Sequence, residues 1–366
     1  MRVTFVNPND HMAGGNRVVS IYADRMARRG HKVVVVSGAF RRLSRWQKLR
    51  SLIAGRGWPK KHEPEPSYFK GLPIEFRTLE TQRPVVDSDV PDADIIVATW
   101  WETAEWINAL NAKKGAKAYL VQHHEVFPHL PVERSRATYR LPFQKIVISR
   151  WLEEIMKEQY GDESAILIPN SVDTDQFFAF DRSKQPIPTV GFVYSKAEFK
   201  GADVIVKALE QVRAQLPKFR VVAFGAEYPS ADLPLPDWIE YHYRPPQDQI
   251  RLLYGQCDVW LCGSRSEGFY LPMLEAMACR CPVVSTRVGG PIDNIRDSVN
   301  GFLVGIEDST GLAEGMLKVL RLSEDEWHQM SAAALATAMR YSWDDATDRL
   351  EKSLQRLIVQ KSKACA

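Results

Sequence analysis

Short apolar runs alternate along this chain with longer segments in which apolar residues recur every three or four positions. In the first half, this alternation predicts strands over residues 2–6, 32–37, 94–98, 118–122, 145–148 and 166–169. It predicts helices over residues 16–29 and 151–160. The run at residues 32–37 is mostly valine, which is typical of a parallel strand covered on both faces. Strands that alternate with helices predict a doubly wound parallel sheet.

A second alternating set follows a polar, proline-containing stretch at residues 181–188, where we place a domain boundary. Strands are predicted over residues 189–193, 220–224, 239–241, 259–262 and 282–286, and helices over residues 202–215, 246–255 and 271–279. We therefore predict an α/β protein with two facing Rossmann-like, doubly wound domains, residues 1–180 and residues 186–342.

The composition is that of an ordinary globular protein, with 45% apolar and 25% charged residues among 366. A net charge of +3 is too small to indicate a nucleic-acid partner, and we expect none. No stretch has the pattern of a signal peptide or a transmembrane helix, so we expect a cytoplasmic protein. The five cysteines fit reduced structural thiols; the alternative is that Cys279 and Cys281 form a redox or metal pair.

Two carboxylates, Glu267 and Glu275, lie eight positions apart just after the predicted strand at residues 259–262. Glu267 falls on the strand-to-helix loop, and Glu275 falls in the helix, which has Pro272 in its first turn. The unpaired amides at this helix start favour an anion. One carboxylate can hold sugar hydroxyls and the other a ribose, so the spacing fits a sugar nucleotide.

Two glycine-containing loops are further candidates. Lys200 stands beside a glycine at the start of the predicted helix 202–215, an arrangement that suits a phosphate, and Lys196 is a second candidate cation. Gly14 and Gly15 follow the first strand, where glycines permit close backbone approach to a ligand. The spacing is not the G-x-G-x-x-G of a dinucleotide site. This loop is therefore either a plain turn or the lining of an interdomain cleft.

A histidine pair, His123 and His124, follows a strand at the sheet edge where ligands bind in such folds. Three interpretations are open: one histidine contacts a donor sugar, both are structural, or both bind a metal. The metal is disfavoured, because adjacent side chains on a strand point to opposite faces.

The basic segment 41–61 contains no acidic residue. Its apolar residues recur at helical spacing and include Trp46, and its basic residues are Arg41, Arg42, Arg45, Lys48, Arg50, Arg56, Lys60 and Lys61. Such a helix is either a solvated cover of the domain edge, a contact for an anionic membrane surface, or a contact for a soluble anionic acceptor.

These motifs, in this order, resemble glycosyltransferase family 4, whose members have the GT-B fold. The most specific match runs over residues 266–278 and contains the family's E-x7-E motif. Residues 282–286 and 289–290, the segment 168–173 and the opening Gly14–Gly15 loop are also similar. Residues 341–345 look like the family's F-S-W segment, which implies a final helix, residues 343–366, that crosses back to the first domain.

The resemblance also implies roles for the site residues. Glu267 contacts the donor sugar, Glu275 contacts the ribose, and Lys200 matches the family's lysine on the diphosphate. Either His123 or His124 matches the family's histidine near the sugar. The backbone amides that bind the donor are those of Gly268, Phe269, Tyr270 and Leu271. The family's arginine position falls near Ser195, which leaves Lys196 or Arg265 as a replacement.

The function that follows is retaining transfer of a hexose-type sugar from a UDP or GDP sugar to a glycan or lipid-linked acceptor, as in bacterial surface polysaccharide assembly. Neither a cofactor nor a metal is expected, and attack from the front face of the sugar is the expected route. The alternative is an inactive GT-B module that binds a nucleotide sugar as a partner subunit. An epimerase or phosphorylase is disfavoured. The basic segment adds the alternative of peripheral attachment to the inner face of the cell membrane.

Overall fold

The computed structural model describes residues 1–39, 46, 50, 52 and 67–365. The chain forms two compact units. The first comprises Met1–Val147, Met156–Ile166 and Thr347–Ala366, and the second comprises Ile148–Ile155 and Leu167–Ala346. Of the basic segment 41–61, only Trp46, Arg50 and Leu52 are described, and all three are helical. Arg41, Arg42, Arg45, Lys48, Arg56, Lys60 and Lys61 lie outside the described residues.

The elements follow the predicted alternation of strand and helix. The strands are β1 (Arg2–Asn7), β2 (Lys32–Ser37), β3 (Glu75–Thr78), β4 (Ile95–Ala98), β5 (Ala116–Val121), β6 (Gln144–Val147), β7 (Ile166–Leu167), β8 (Thr189–Val193), β9 (Arg220–Gly225), β10 (Ile239–Tyr243), β11 (Val259–Cys262), β12 (Val283–Thr286) and β13 (Gly301–Val304). The helices are α1 (Gly14–Arg28), α2 (Trp101–Asn108), α3 (Val132–Thr138), α4 (Arg150–Tyr160), α5 (Ala202–Gln215), α6 (Ile250–Gly255), α7 (Leu271–Ala278), α8 (Gly289–Asn294), α9 (Ser309–Leu320), α10 (Glu324–Ala338) and α11 (Trp343–Cys365).

The first unit is built on a sheet with strand order β3-β2-β1-β4-β5-β6-β7. The pairs from β3 through β6 are parallel. Most side chains of β1, β2 and β4 are buried, as expected where helices cover both faces. The end of α11 belongs to this unit. There Asp348 pairs with Arg29 at 2.6 Å and Glu351 pairs with His31 at 3.0 Å.

The second unit is built on a parallel sheet with strand order β10-β9-β8-β11-β12-β13. Its core packs the sheet against α5, α9 and α10, with Trp327 fully buried. The chain runs outward from β8 through β9 to β10, then returns to β11 beside β8. The loops that follow β8 and β11 are therefore neighbours at the carboxyl edge, which is where ligands bind in such sheets.

Candidate functional site

Lys200 and Glu267 meet at this carboxyl edge of the second unit. Lys200 Nζ lies 2.8 Å from Glu267 Oε1 and 3.0 Å from Oε2, so the cation spans both carboxylate oxygens. Ser264 Oγ donates a third hydrogen bond to Oε1, at 2.7 Å. The Glu267 side chain is 5% exposed and the Lys200 side chain is 34% exposed. A buried carboxylate is thus compensated by a cation that solvent, or an anionic ligand, can reach.

Glycines let three loops approach one another beneath this ion pair. Gly201 is left-handed, with φ +60°, and a Cβ there would collide with the carbonyl oxygen of Gly263. A Cβ at Gly289 would collide in the same way with the carbonyl oxygen of Glu267. Thr286 Oγ1 adds a 2.6 Å hydrogen bond to the carbonyl of Ser264. The backbone that carries Glu267 is therefore held from both sides by glycine contacts that a larger residue would prevent.

The start of α7 is the second feature of the site. Tyr270 caps this helix in a left-handed conformation, φ 67° and ψ 72°, which costs an aromatic residue about 1–2 kcal/mol. Its buried hydroxyl donates to the carbonyl of Leu261 at 3.0 Å, which holds the strained turn in place. The backbone N–H groups of residues 268–271 have no hydrogen-bond acceptor among the described residues. These amides can bind an anion placed beside Lys200.

Glu275 lies in the second turn of α7 and is also buried. Its Oε2 accepts a hydrogen bond from Tyr254 Oη, on α6, at 2.7 Å. Burial, and then the neighbouring carboxylate, raises the pKa of Tyr254 well above its usual value, so the phenol remains a donor. Tyr254 thereby orients a carboxylate that can accept from a polyol such as ribose.

The two candidate replacements for the missing arginine differ in their surroundings. Arg265 makes a bidentate pair with Asp203, at 3.0 and 2.8 Å, and its Nε donates to Glu307 at 2.7 Å. Its Nη1 also donates to the carbonyl of Glu198 at 2.6 Å. Hydrogen bonds to Asp203 and Glu307 raise the pKa of Arg265. Arg265 therefore ties the segment that carries Lys200 to the Glu267 loop, whereas Lys196 has an exposed side chain.

The histidine pair belongs to the first unit and its members differ. His124 is buried, and its Nε2 lies 2.7 Å from Tyr160 Oη. Burial, then His123 and Arg136, lowers the pKa of His124 to about 4, so the ring is neutral at neutral pH. His123 is half-buried, its ring packs at a tilt against Phe127 with centroids 4.9 Å apart, and its Nδ1 lies 3.0 Å from the carbonyl of His124. Because a carbonyl only accepts, Nδ1 of His123 carries the proton of this hydrogen bond.

The Gly14–Gly15 loop lies close to the histidine pair in the same unit. A Cβ at Gly15 would be 3.2 Å from Nε2 of Gln122, the residue before His123. Asn16 Nδ2 closes the loop by donating to the carbonyls of Asn9, at 3.0 Å, and His11, at 2.9 Å. The two glycines thus begin α1 beside the segment that follows β5. The loop is shaped by its own hydrogen bonds.

Several neighbours of the site were not among the sequence candidates. Ser264 precedes Glu267 by three residues and could have been named from the motif. Asp203 lies three residues after Lys200, but its pairing with Arg265, 62 positions away, could not be read from spacing. Tyr254 and Glu307 are 21 and 42 positions from their partners, Glu275 and Arg265. Among the described residues, no three His, Cys, Asp or Glu side chains cluster as a metal site would require. The described thiols, Cys257, Cys262, Cys279 and Cys281, are buried and unbridged. No described helix is both long enough and apolar enough to cross a bilayer.

Comparison with known proteins places this geometry in a family. The model of glycosyltransferase family 4 matches residues 12–176, and that of the group 1 glycosyl transferases matches residues 173–336. The chain belongs to glycosyltransferase family 4. A curated relative of this family 4 protein is the D-inositol 3-phosphate glycosyltransferase of Mycobacterium leprae (strain Br4923), 33% identical over 183 residues. That match covers 46% of this chain and 42% of the relative, so the chain spans less than half of the relative's length.

Solved structures extend the likeness, in fold, to nearly the whole chain. Sucrose-phosphate synthase from Thermosynechococcus elongatus superposes with a TM-score of 0.75 at 16% identity, over 98% of this chain and 100% of that one. Anabaena HepE in complex with UDP-glucose superposes with a TM-score of 0.73 at 18% identity, over 97% and 100%. The predicted GT-B fold, an α/β fold with two Rossmann-like parallel sheets, is confirmed.

Proposed function

We propose that this family 4 protein is a glycosyltransferase that moves a hexose-type sugar from a nucleoside-diphosphate sugar to a glycan or lipid-linked acceptor. The observation that carries the proposal is the Lys200–Glu267 ion pair beside the start of α7. A solvent-accessible cation, unpaired backbone amides and a buried carboxylate thus lie together at the carboxyl edge of the second sheet. A diphosphate with an attached sugar needs these three groups together.

The nucleotide we propose to test first is UDP, with GDP second. Anabaena HepE has been crystallised with UDP-glucose, and the pneumococcal O-GlcNAc transferase GtfA with UDP and GlcNAc. Both support a uridine nucleotide for a chain with the same fold. In our proposal Glu275 holds the ribose and the amides of residues 268–271 hold the diphosphate and sugar.

The proposed mechanism retains the configuration of the transferred sugar and does not use a bound metal ion. As the sugar leaves, negative charge grows on the phosphate oxygens, where Lys200 and the α7 amides stabilise it without reorganisation. Glu267 binds sugar hydroxyls and is a positioning group, not a covalent nucleophile. The departing phosphate takes the acceptor's proton as the acceptor attacks from the same face. His123 contacts the donor sugar in this scheme, because His124 is buried, neutral and bonded to Tyr160.

For the acceptor, we propose a lipid-linked or membrane-proximal glycan, as in bacterial surface polysaccharide assembly. Trp46 is helical and 77% exposed, and Leu52 is helical and 41% exposed, within a basic stretch of sequence. Exposed apolar residues among basic ones favour an anionic lipid surface. The proposed location is therefore cytoplasmic and peripheral to the inner face of the cell membrane.

The deciding experiment is a thermal-shift panel of UDP, GDP and their common sugars, followed by donor turnover. UDP should raise the melting temperature of the wild type, and a UDP sugar should be consumed. Lys200→Ala should abolish both responses, whereas Lys207→Ala, an exposed lysine on α5, should leave both unchanged. A Lys200→Ala protein that turns over donor at the wild-type rate would refute the proposed phosphate contact.

The second candidate is a module that binds a nucleotide sugar without transferring it. Its support is the engagement of Arg265 by Asp203 and Glu307, which leaves fewer side-chain cations for a diphosphate. Purified protein that binds UDP sugars yet neither transfers nor slowly hydrolyses them would favour this module over the enzyme.

A further inference from the structure

The first unit contains a carboxyl group that the proposed mechanism does not use. Glu125 is fully buried, directly after the histidine pair. Its Oε2 accepts from the backbone N–H of Trp101, at 2.7 Å, and from Tyr119 Oη, at 3.1 Å. Its Oε1 is buried and has no partner among the described residues. A charged carboxylate would leave one oxygen without solvent or hydrogen bond, which is far more costly than protonation.

The surrounding groups reinforce this conclusion. Burial, the largest influence, raises the pKa of Glu125 well above its usual value. The hydrogen bonds from Trp101 and Tyr119 oppose that rise, and the charge of Glu102 on α2 adds to it. Tyr139, whose hydroxyl accepts from the backbone N–H of Glu125, is a phenol whose own pKa is raised by burial and then by Glu125. No cation offsets the carboxyl group in these contacts.

The same residue ties down the turn that carries the histidines. The backbone N–H of Glu125 donates to Tyr139 Oη at 2.9 Å, and that hydroxyl donates to the carbonyl of His123 at 3.2 Å. Ser135 Oγ donates to the carbonyl of Glu125 at 2.6 Å. The side chain meanwhile reaches Trp101, the first residue of α2, and Tyr119 on β5. Glu125 therefore links the turn to a helix start and a central strand.

We propose that Glu125 acts as an uncharged carboxylic acid that fixes the turn carrying His123, and is thereby a positioning residue for that histidine. The proposal rests on the proposed function in one respect, namely that His123 contributes to catalysis. The uncharged state and the fixing of the turn can be measured without any turnover.

The first test is the pH dependence of stability in Glu125→Gln and the wild type. A carboxyl group that is neutral when folded and ionised when unfolded binds more protons in the folded state. Wild-type stability then falls as pH rises from about 4.3, the unfolded pKa, to the raised folded pKa. The glutamine side chain is neutral in both states. The melting temperature of Glu125→Gln minus that of the wild type should therefore rise steadily from pH 5 to pH 8. A difference that does not change with pH would overturn the uncharged state.

The second test asks whether the turn depends on this group. Histidine ring resonances in ¹⁵N NMR, with that of His123 assigned by its loss in His123→Ala, should shift in Glu125→Ala and Tyr139→Phe. They should stay near their wild-type positions in Glu125→Gln, because the isosteric amide keeps an acceptor for Trp101 and Tyr119. An unmoved His123 resonance in Glu125→Ala would overturn the positioning role.

Donor turnover links the two results to the proposed function. Glu125→Ala should lose at least tenfold in kcat with a smaller change in donor KM, and Glu125→Gln should recover most of that loss. If Glu125→Gln is as impaired as Glu125→Ala, a charged carboxylate is needed and the proposal fails. If the wild type consumes no donor, the proposed function fails, while the stability and NMR tests still decide the state and role of Glu125.

Discussion

Lys200 lies with its ammonium 2.8 and 3.0 Å from the two carboxylate oxygens of Glu267, although the two residues are 67 positions apart in the chain. The pair exists because β8 and β11 are hydrogen-bonded neighbours, so that the loops after them share one edge. In the ligand-free protein the lysine neutralises a buried carboxylate. A bound diphosphate would compete with Glu267 for the same ammonium group. Phosphate binding would therefore be coupled to the release of Glu267 from this ion pair.

Removing one partner of this pair should be more harmful than removing both. Lys200→Met leaves the buried Glu267 uncompensated, and because the lysine is partly exposed we expect a loss of about 1–3 kcal/mol in unfolding free energy. Adding Glu267→Gln removes the charge and should restore most of that loss without restoring donor turnover. Urea unfolding of the single and double variants measures the coupling. Equal stability of Lys200→Met and the wild type would show that the pair contributes nothing to the fold.

Arg265 should act by holding the Lys200 segment and not by touching phosphate. Arg265→Lys cannot reproduce the bidentate contact with Asp203, so we expect donor KM to rise about tenfold. Asp203→Asn should have the same effect, since it breaks the same contact from the other side. Initial rates against donor concentration measure both, with the exposed Arg287→Lys as control. A normal donor KM in Asp203→Asn, together with a raised donor KM in Arg265→Lys, would contradict this role. It would indicate that Arg265 contacts the donor phosphate directly.

The sequence was sufficient for the elements that carry the site. Lys200 and Glu267 follow apolar runs at residues 189–193 and 259–262, and both runs are strands with those bounds. The strands that the pattern did not predict, β3 and β13, stand at sheet edges and are partly exposed. In β3 Phe76 is the single apolar residue, and the apolar run of β13 is only three residues long, 302–304.

Side-chain partners could not be predicted in the same way. The contacts of Glu275 with Tyr254 and of Arg265 with Glu307 join residues 21 and 42 positions apart. Such contacts depend on how helices pack against the sheet, and no periodicity reports that packing. The burial of Glu125 was hidden for a similar reason, because a carboxylate after a strand usually faces solvent.

Replacing Gly201 by any residue with a side chain should lower the stability of the protein by more than the usual cost of a left-handed backbone conformation. Alanine there would meet the carbonyl of Gly263, so we expect a loss of about 1–3 kcal/mol from overpacking in addition to about 1 kcal/mol of backbone strain. Gly161 is the matched control, because its φ is +67° and a Cβ there would meet nothing within 4 Å. Thermal unfolding of the two alanine variants separates strain from collision. Equal losses would mean that the loops move apart at little cost.

Trp46 should contribute to binding of anionic membranes if the basic segment meets lipid. The indole is 77% exposed, so Trp46→Ser should leave the melting temperature unchanged while lowering the fraction of protein that floats with anionic vesicles several-fold. Tyr228→Ser, which removes an aromatic residue 63% exposed in the second unit, is the control and should float as the wild type does. Raising salt should weaken the wild-type association, because attraction between basic side chains and anionic headgroups is screened. Wild-type protein that stays in solution with anionic and neutral vesicles alike would exclude the lipid surface and leave a soluble acceptor.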